Sequence, residues 1–101
     1  MTRIRWTLQA SSDLDAIYEY VSRDSPAAAS TLVVRLLASI DQLEPYPQSG
    51  RAVPEFANPV IRELVRGSYR VVYRLREREV QLLRIHHAAR PLPPDLETSA
   101  G

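Results

Sequence analysis

The residues best suited to chemistry lie in the second half of the chain. His86 and His87 are adjacent, eight arginines lie between residues 62 and 90, and Glu55 precedes them. Histidine titrates near neutral pH and can act as a general acid or base, while arginine binds phosphate or carboxylate in a bidentate manner. The sequence contains no glycine-rich phosphate loop, HExxH or Gly-x-Ser-x-Gly motif. It also contains no cysteine, which removes thiolate chemistry and cysteine-ligated zinc.

The two histidines do not form a typical metal site. On a strand, adjacent side chains point to opposite faces, so the imidazoles of His86 and His87 cannot readily share one metal ion. We therefore predict no metal site, with one histidine facing the core and the other exposed. A role as general acid or base for one of them stays open.

The arginines are concentrated on the predicted strands. Arg70, Arg74 and Arg76 fall on one face of one strand, Arg62 lies on the neighbouring strand, and Arg90 follows the last strand. Residues 1–50 hold four arginines and six acids, a balance of −2, whereas residues 51–101 hold nine arginines and six acids, a balance of +3. Such a face is either simply solvated or meets an anionic partner, which would be phosphates or an acidic protein segment.

The first half of the chain predicts one strand and two helices. Ile4, Trp6 and Leu8 alternate with polar residues, which indicates a strand with one apolar face. Ser11 or Ser12 then offers an N-cap for a helix from about Ser12 to Arg23, with Asp13 in its first turn. Ser25 caps a second helix that begins at Pro26 and ends before Pro45. The short connection predicts an antiparallel helical hairpin.

The second half predicts a stiff, proline-rich loop over residues 45–60 and then three strands. These strands are Ile61 to Val65, Tyr69 to Leu75 and Val80 to His87, with Tyr69 and Tyr73 facing inward. The order is β-α-α-β-β-β, and we expect the α+β class, with the helical hairpin packed on one face of a mostly antiparallel sheet.

The length of 101 residues fits one domain, which we place at residues 1–92, with a flexible C-terminal tail at residues 93–101. No apolar run approaches the roughly 20 residues that span a bilayer. The N-terminus lacks the apolar core of a signal peptide. We therefore expect a cytoplasmic protein that does not contact membranes.

Three segments of the sequence are similar to a known family. Residues 49–55 (SGRAVPE), 61–74 (IRELVRGSYRVVYR) and 85–90 (IHHAAR) resemble the ParE/RelE toxin superfamily, the toxins of bacterial type II toxin–antitoxin modules. The N-terminal pattern agrees with this resemblance, which runs from about residue 3 to residue 92. The order of the pieces is fairly specific as a set, although each piece alone is weak. The superfamily's fold is the β-α-α-β-β-β arrangement.

The resemblance implies two alternative activities and one partner. ParE-like members poison DNA gyrase and block replication, whereas RelE-like members are ribosome-dependent mRNA endonucleases. A third alternative is a chain that only forms complexes. The partner implied is a cognate antitoxin, ParD-like for the ParE branch, which is a ribbon-helix-helix DNA-binding protein. We expect no cofactor and no sequence-specific DNA binding by this chain alone.

The residue types favour the ParE branch. RelE-like toxins typically use lysine and arginine on the sheet with a C-terminal tyrosine or histidine, but this chain has no lysine, and Glu63 stands near the position of a RelE-type lysine. One feature supports the alternative that the chain is an RNase. Glu55, Arg70 and His86 or His87 resemble the Glu/Arg/His set of one RNase branch of the superfamily, in which they would act as base, phosphate clamp and acid. If the chain is a nuclease, its candidate residues are Glu55, Arg70, His86, His87 and Arg90. The candidates for target binding are Arg51, Arg62, Arg70, Arg74, Arg76, His86 and Arg90.

Overall fold

The computed structural model describes residues 2–93 and residue 96. It confirms the α+β class, with a helical hairpin packed on a five-stranded sheet. The elements in chain order are β1 (Arg3–Trp6), α1 (Leu8–Ser22), α2 (Pro26–Asp41), β2 (Arg51–Ala52), β3 (Ile61–Arg66), β4 (Tyr69–Arg76) and β5 (Glu79–His87).

The sheet has the strand order β1-β5-β4-β3-β2. Strands β2 to β5 pair antiparallel with their neighbours, whereas β1 pairs parallel with β5. A parallel pair needs a crossover connection, and the helical hairpin is part of that connection. Strand β2 lies inside the segment that the sequence predicts as a loop, because two residues are too few to show a period-2 pattern.

The first helix begins earlier than the sequence predicts. Its N-cap is Thr7, whose hydroxyl oxygen accepts from the Ala10 backbone N–H at 3.1 Å and donates to the Leu82 carbonyl at 2.7 Å. The prediction of a cap at Ser11 or Ser12 is therefore wrong, and the second of these hydrogen bonds explains why. It joins residues distant in sequence, so local capping preference could not reveal it. Strand β1 ends at Trp6, and Leu8 is 89% exposed rather than part of its apolar face.

The second helix begins as predicted. The Ser25 hydroxyl oxygen accepts from the Ala28 backbone N–H at 3.1 Å, and Pro26 occupies the first helical position. None of the helices within residues 2–93 is long and apolar enough to cross a bilayer.

The main core lies between the helical hairpin and the sheet. It is formed by aliphatic side chains of both helices and by alternate residues of β3, β4 and β5. Its buried members are Ala10, Leu36, Ile40, Leu43, Leu64, Val71, Tyr73, Val80, Leu82 and Ile85.

Tyr73 also fixes the loop that precedes β2. Its buried hydroxyl donates to the Pro47 carbonyl and accepts from the Gly50 N–H, both at 2.9 Å. A Cβ atom at Gly50 would lie 2.5 Å from this hydroxyl oxygen, so only glycine lets the loop approach so closely.

A second apolar cluster covers the opposite face of the sheet. Val53, Ile61, Val72 and Leu83 pack there with Leu92 and Leu96 from the C-terminal segment, while Phe56 and Val60 lie at its side. Leu96 is 3% exposed, within the segment 93–101 that the sequence predicts as a flexible tail. The rest of the predicted tail, at residues 94–95 and 97–101, lies outside the described residues.

An irregularity in β5 determines which way the histidines point. Val72 pairs with Arg84 but Tyr73 pairs with Leu82, so β5 contains Leu83 as an additional residue, which is a β-bulge. Beyond the bulge, His86 pairs with Arg70 and His87 pairs with Tyr69. The two histidines therefore lie on opposite faces, as the sequence predicts, but His86 is half-buried rather than in the core.

Candidate functional site

Four charged side chains form a connected network on the sheet face opposite the helices. The Arg51 Nε–H donates to Glu63 Oε2 at 2.8 Å, and the Arg70 Nε–H donates to Glu63 Oε1. The other two nitrogens of Arg70 donate to both oxygens of Glu55, at 2.7 Å and 2.8 Å. We call Arg51, Glu55, Glu63 and Arg70 the sheet network.

The sheet network runs from the protein interior to its surface. The side chain of Glu63 is fully buried and that of Arg70 is 9% exposed, whereas Glu55 is 39% and Arg51 is 64% exposed. Two arginines balance two carboxylates, so the network carries no net charge. Burying such groups requires this pairing, because an unpaired buried charge is strongly destabilising. The hydrogen bonds from Arg70 hold the pKa of Glu55 below its ordinary value, and those from Glu55 raise the pKa of Arg70.

This arrangement bears on the chemistry predicted for Glu55, Arg70 and His86. The structure brings Glu55 and Arg70 into direct contact and places His86 opposite Arg70 on the next strand. However, a carboxylate with a lowered pKa is a poor general base near neutral pH. Each nitrogen of Arg70 already donates to a carboxylate and its side chain is 9% exposed, so a phosphate would compete with Glu55 for this guanidinium.

The predicted arginine face is only partly present. Arg74 and Arg76 lie on β4 as predicted, half-buried and exposed respectively, and Arg76 Nε–H donates to Gln81 Oε1 at 3.0 Å. Arg70 is buried because Glu63 on the adjacent strand pairs with it. Arg62 is opposite Tyr73, on the helix-facing side of the sheet, and its Nη1–H donates to the Gly50 carbonyl at 2.9 Å. Arg62 therefore lies on the neighbouring strand, as predicted, but on the other face of the sheet from Arg70.

A groove of about 640 Å³ lies between α1 and the ends of β4 and β5. We call it the α1–β5 groove. It brings together three arginines, two histidines and two tyrosines. The lining residues include Tyr20, Arg23, Tyr69, Arg84, His86, His87 and Arg90, together with Asp13 and Glu19.

One ion pair ties the two walls of the α1–β5 groove together. Arg84 donates to both oxygens of Asp13, from Nε at 2.8 Å and from Nη2 at 3.1 Å. Asp13 also accepts from the Ile85 backbone N–H at 2.9 Å. The sequence predicts Asp13 only as an acid in the first turn of α1, and no acid lies in that turn. Its true role depends on a partner 71 residues away, which no local pattern could indicate.

Hydrogen bonds indicate which ring nitrogen of each histidine carries a proton. His86 Nε2 lies 3.0 Å from the Pro91 carbonyl, which can only accept, so this nitrogen carries a proton. His87 Nδ1 accepts from the Ala89 N–H at 3.1 Å, so the proton of its neutral ring lies on Nε2. The His87 ring meets Tyr69 edge-on, with centroids 5.4 Å apart. Within residues 2–93 and residue 96, no three metal-ligating side chains are grouped as a metal site requires.

The sequence does not single out Tyr20 and Arg23 as site residues. Tyr20 near the end of α1 and Arg23, the C-cap of α1, line the groove, and Tyr20 is 69% exposed. Residues three apart at a helix end lie on the same face, and this spacing is the only feature of the sequence that indicates that Tyr20 and Arg23 are neighbours. Arg90 was predicted as a candidate, and it is an exposed lining residue of the groove.

Comparisons with known proteins agree on one family. A family model described as the ParE toxin of the type II toxin–antitoxin system parDE matches residues 4–92. Toxin RelE2 of Caulobacter vibrioides is 38% identical over 91 residues, which cover 89% of this chain and 99% of that protein.

Solved structures show the same fold. A chain of the chromosomal ParDE toxin–antitoxin system of P. aeruginosa is similar with a TM-score of 0.71 and 31% identity, over 86% of this chain and 96% of that chain. The RelBE2 toxin–antitoxin complex of Mycobacterium tuberculosis contains a chain with the same fold, at a TM-score of 0.56 and 23% identity, over 85% of this chain and 96% of that one. The chain therefore belongs to the ParE toxin family, within the ParE/RelE superfamily, and is a toxin of a type II toxin–antitoxin system.

Proposed function

We propose that this toxin acts as ParE-like members do, by binding and inhibiting DNA gyrase, and that it does so without chemistry of its own. The observation that supports this most is the sheet network. Arg70, the residue best suited to hold a scissile phosphate, is buried and already paired with the carboxylates of Glu55 and Glu63. RNA cleavage through the 2′-hydroxyl needs a base, an acid and cations that are free to hold the phosphate.

The target surface that we propose is protein-binding and cationic. Arg76 and Arg90 are exposed, so they can contact a partner directly, whereas Arg70 is buried and supports the sheet. Arg51 is exposed at the outer end of the sheet network, and Arg74 and His86 are half-buried beside it. Arg62 contributes through the loop it holds, because its guanidinium is bound to the Gly50 carbonyl.

We further propose that a ParD-like antitoxin of the ribbon-helix-helix type neutralises the toxin. An acidic, flexible antitoxin segment would complement the basic half of this chain, with β2 and β1 at the two edges of the sheet open to backbone pairing. Gyrase and the ribosome are both cytoplasmic, which is where we propose that the toxin acts.

The test is a gyrase assay with purified toxin. Titration into a supercoiling reaction should abolish supercoiling and trap cleavage complexes, and addition of the cognate antitoxin should restore activity. Relaxation by topoisomerase I serves as the control for nonspecific DNA binding. Full gyrase activity at saturating toxin would overturn the proposal.

The second candidate function is a RelE-like ribosome-dependent mRNA endonuclease. One observation favours it, namely that Glu55, Arg70 and His86 are neighbours on the same sheet face. On this reading, ribosomal RNA or mRNA phosphates would displace Glu55 from Arg70, and His86, His87 or Arg90 would assist the leaving group. Primer extension on a translated message after toxin induction would then show codon-linked cuts, and intact transcripts in growth-arrested cells would exclude it.

A further inference from the structure

We infer that the α1–β5 groove is a binding site for a nucleoside phosphate. The groove contains no residue of the sheet network, and it shares only Arg90 and His86 with the proposed target surface. The inference therefore does not depend on whether gyrase is the target. It rests on the free cations, aromatic side chains and hydrogen-bonding groups that meet there.

The cations at the rim of the groove are available to a ligand. Arg23 and Arg90 are exposed, and neither guanidinium is paired with another side chain within residues 2–93. Arg84 is neutralised by Asp13, so that pair contributes rigidity rather than charge. Arg23 and Arg90 against Glu19 leave a net positive charge of one. A phosphate group is a ligand that guanidinium groups favour.

The aromatic side chains supply a surface for a base. Tyr20 is 69% exposed on α1, in the same groove as Tyr69 at the start of β4. The edge-on contact with His87 restrains the Tyr69 ring. Bases stack on such rings beside arginines in many nucleic-acid-binding proteins, and the stacking does not require a particular base.

His87 adds a hydrogen-bond donor to the groove. It presents its Nε2–H, because its Nδ1 is occupied by the Ala89 N–H. A phosphate oxygen suits this donor. His86 also lines the groove, but it lies on the other face of the sheet from His87, and its Nε2–H is directed to the Pro91 carbonyl, so it supplies no group to this ligand.

The volume of the groove matches this class of ligand. Small-molecule sites usually enclose about 300 to 1,000 Å³, and the groove encloses about 640 Å³. Inorganic phosphate would leave both tyrosines unused, and a nucleoside without phosphate would leave both arginines unused. The nucleoside phosphate can come from a free nucleotide or from the 5′ end of a single strand.

Binding is tested with four probes on the full-length toxin, namely AMP, adenosine, inorganic phosphate and 5′-phosphorylated pentathymidine. Titrations are followed by NMR, using the imidazole signals of His86 and His87 as reporters. We expect saturable binding of AMP or of the oligonucleotide, at least tenfold tighter than adenosine or phosphate. The R23A/R90A double variant and Y20A should each weaken it at least tenfold.

Matched controls separate the site from general charge and exposure. R35A removes an exposed arginine of α2. Y46A removes a tyrosine that is 67% exposed, close to the 69% of Tyr20. Both variants should bind the nucleotide probes as the wild type does. Binding of AMP identifies a free nucleotide as the source, and binding of the oligonucleotide alone identifies a strand end. The inference is overturned if phosphate binds as tightly as AMP, if neither nucleotide probe binds, if the groove variants bind normally, or if a polyglutamate peptide binds there instead.

Discussion

Glu63 and Arg70 form an ion pair across two neighbouring strands in a position where water cannot reach the carboxylate. The side chain of Glu63 is fully buried, and that of Arg70 is 9% exposed. Glu63 pairs with Val72 in the strand register, and Arg70 lies two residues before Val72 on β4, on the same face. The pair joins the centre of the sheet to the exposed ends of the sheet network at Glu55 and Arg51.

Removing Glu63 should destabilise the protein severely. The E63A variant leaves the buried guanidinium of Arg70 without its inner partner, and loss of one member of a buried pair costs about 3–5 kcal/mol. Urea unfolding followed by circular dichroism measures the change. E79A is the control, because Glu79 pairs with the half-exposed Arg5 at 3.3 Å, and an exposed pair contributes about 0–1 kcal/mol. Equal losses in the two variants would show that burial of the Glu63 pair is unimportant.

Ionised Glu55 should stabilise the folded protein, and this stabilisation should be lost at low pH. Hydrogen bonding to Arg70 lowers the pKa of Glu55 in the folded state. A lowered folded-state pKa means that this stabilisation is fully present above the unfolded pKa of about 4.3 and is lost as the pH falls through the folded value. The E55Q variant should therefore lose stability less steeply than the wild type below about pH 5. Chemical unfolding at a series of pH values tests this, and identical acid limbs would contradict it.

Tyr73 should stabilise the loop before β2 at neutral pH but less so in alkali. The Y73F variant loses the hydrogen bonds to Gly50 and Pro47 and leaves a buried N–H unpaired, at a cost of about 1–3 kcal/mol. Burial raises the pKa of the Tyr73 hydroxyl, so its contribution is complete below the unfolded pKa of about 10 and is lost as the pH rises through the folded value.

The measurement for Tyr73 is the difference in unfolding free energy between the wild type and Y73F. This difference should shrink as the pH rises above about 10. Y46F provides the control, because Tyr46 is 67% exposed, and it should match the wild type at neutral pH. A difference that is constant with pH would contradict the assignment.

Leu96 should act as a core residue although it stands near the C-terminus. It packs with Leu92, Val72 and Leu83 on the sheet face opposite the helices. The L96A variant should lose about 2–5 kcal/mol, because truncating a buried leucine leaves a cavity. L8A removes the same atoms at a position that is 89% exposed and should change stability by about 0.5 kcal/mol at most. Thermal unfolding of both proteins distinguishes a packed segment from the tail that the sequence predicts.

The elements that the sequence predicts correctly are those with local signals. Ser25 and Pro26 mark the start of α2 by capping chemistry and fixed backbone geometry, which act within one turn. The period-2 alternation over β4 likewise places Val71 and Tyr73 in the main core. These signals also agree with the resemblance to the ParE/RelE superfamily.

The features that the sequence does not predict depend on tertiary partners. Thr7 caps α1 while bound to Leu82, and Asp13 is held by Arg84, in each case across more than 70 residues. The β-bulge at Leu83 shifts the register of β5, and no residue in the sequence indicates this bulge. The alternation pattern predicts only on which face of the sheet Arg70 lies, and an arginine on that face is expected to be exposed. It does not indicate that Glu63 on the adjacent strand pairs with Arg70 and allows it to be buried.

Reversing the charge of Arg76 should weaken the proposed inhibition of gyrase without unfolding the toxin. Arg76 is exposed at the end of β4, so the R76E variant should stay folded at the assay temperature, although it loses the hydrogen bond to Gln81 and should unfold at a lower midpoint than the wild type. A like charge placed against an acidic partner surface is strongly unfavourable, so we expect the concentration for half-maximal inhibition of supercoiling to rise about tenfold or more. R35E carries the same change on α2, away from the sheet, and should inhibit gyrase as the wild type does. If R76E and R35E inhibit equally well, Arg76 is not part of the surface that contacts the target.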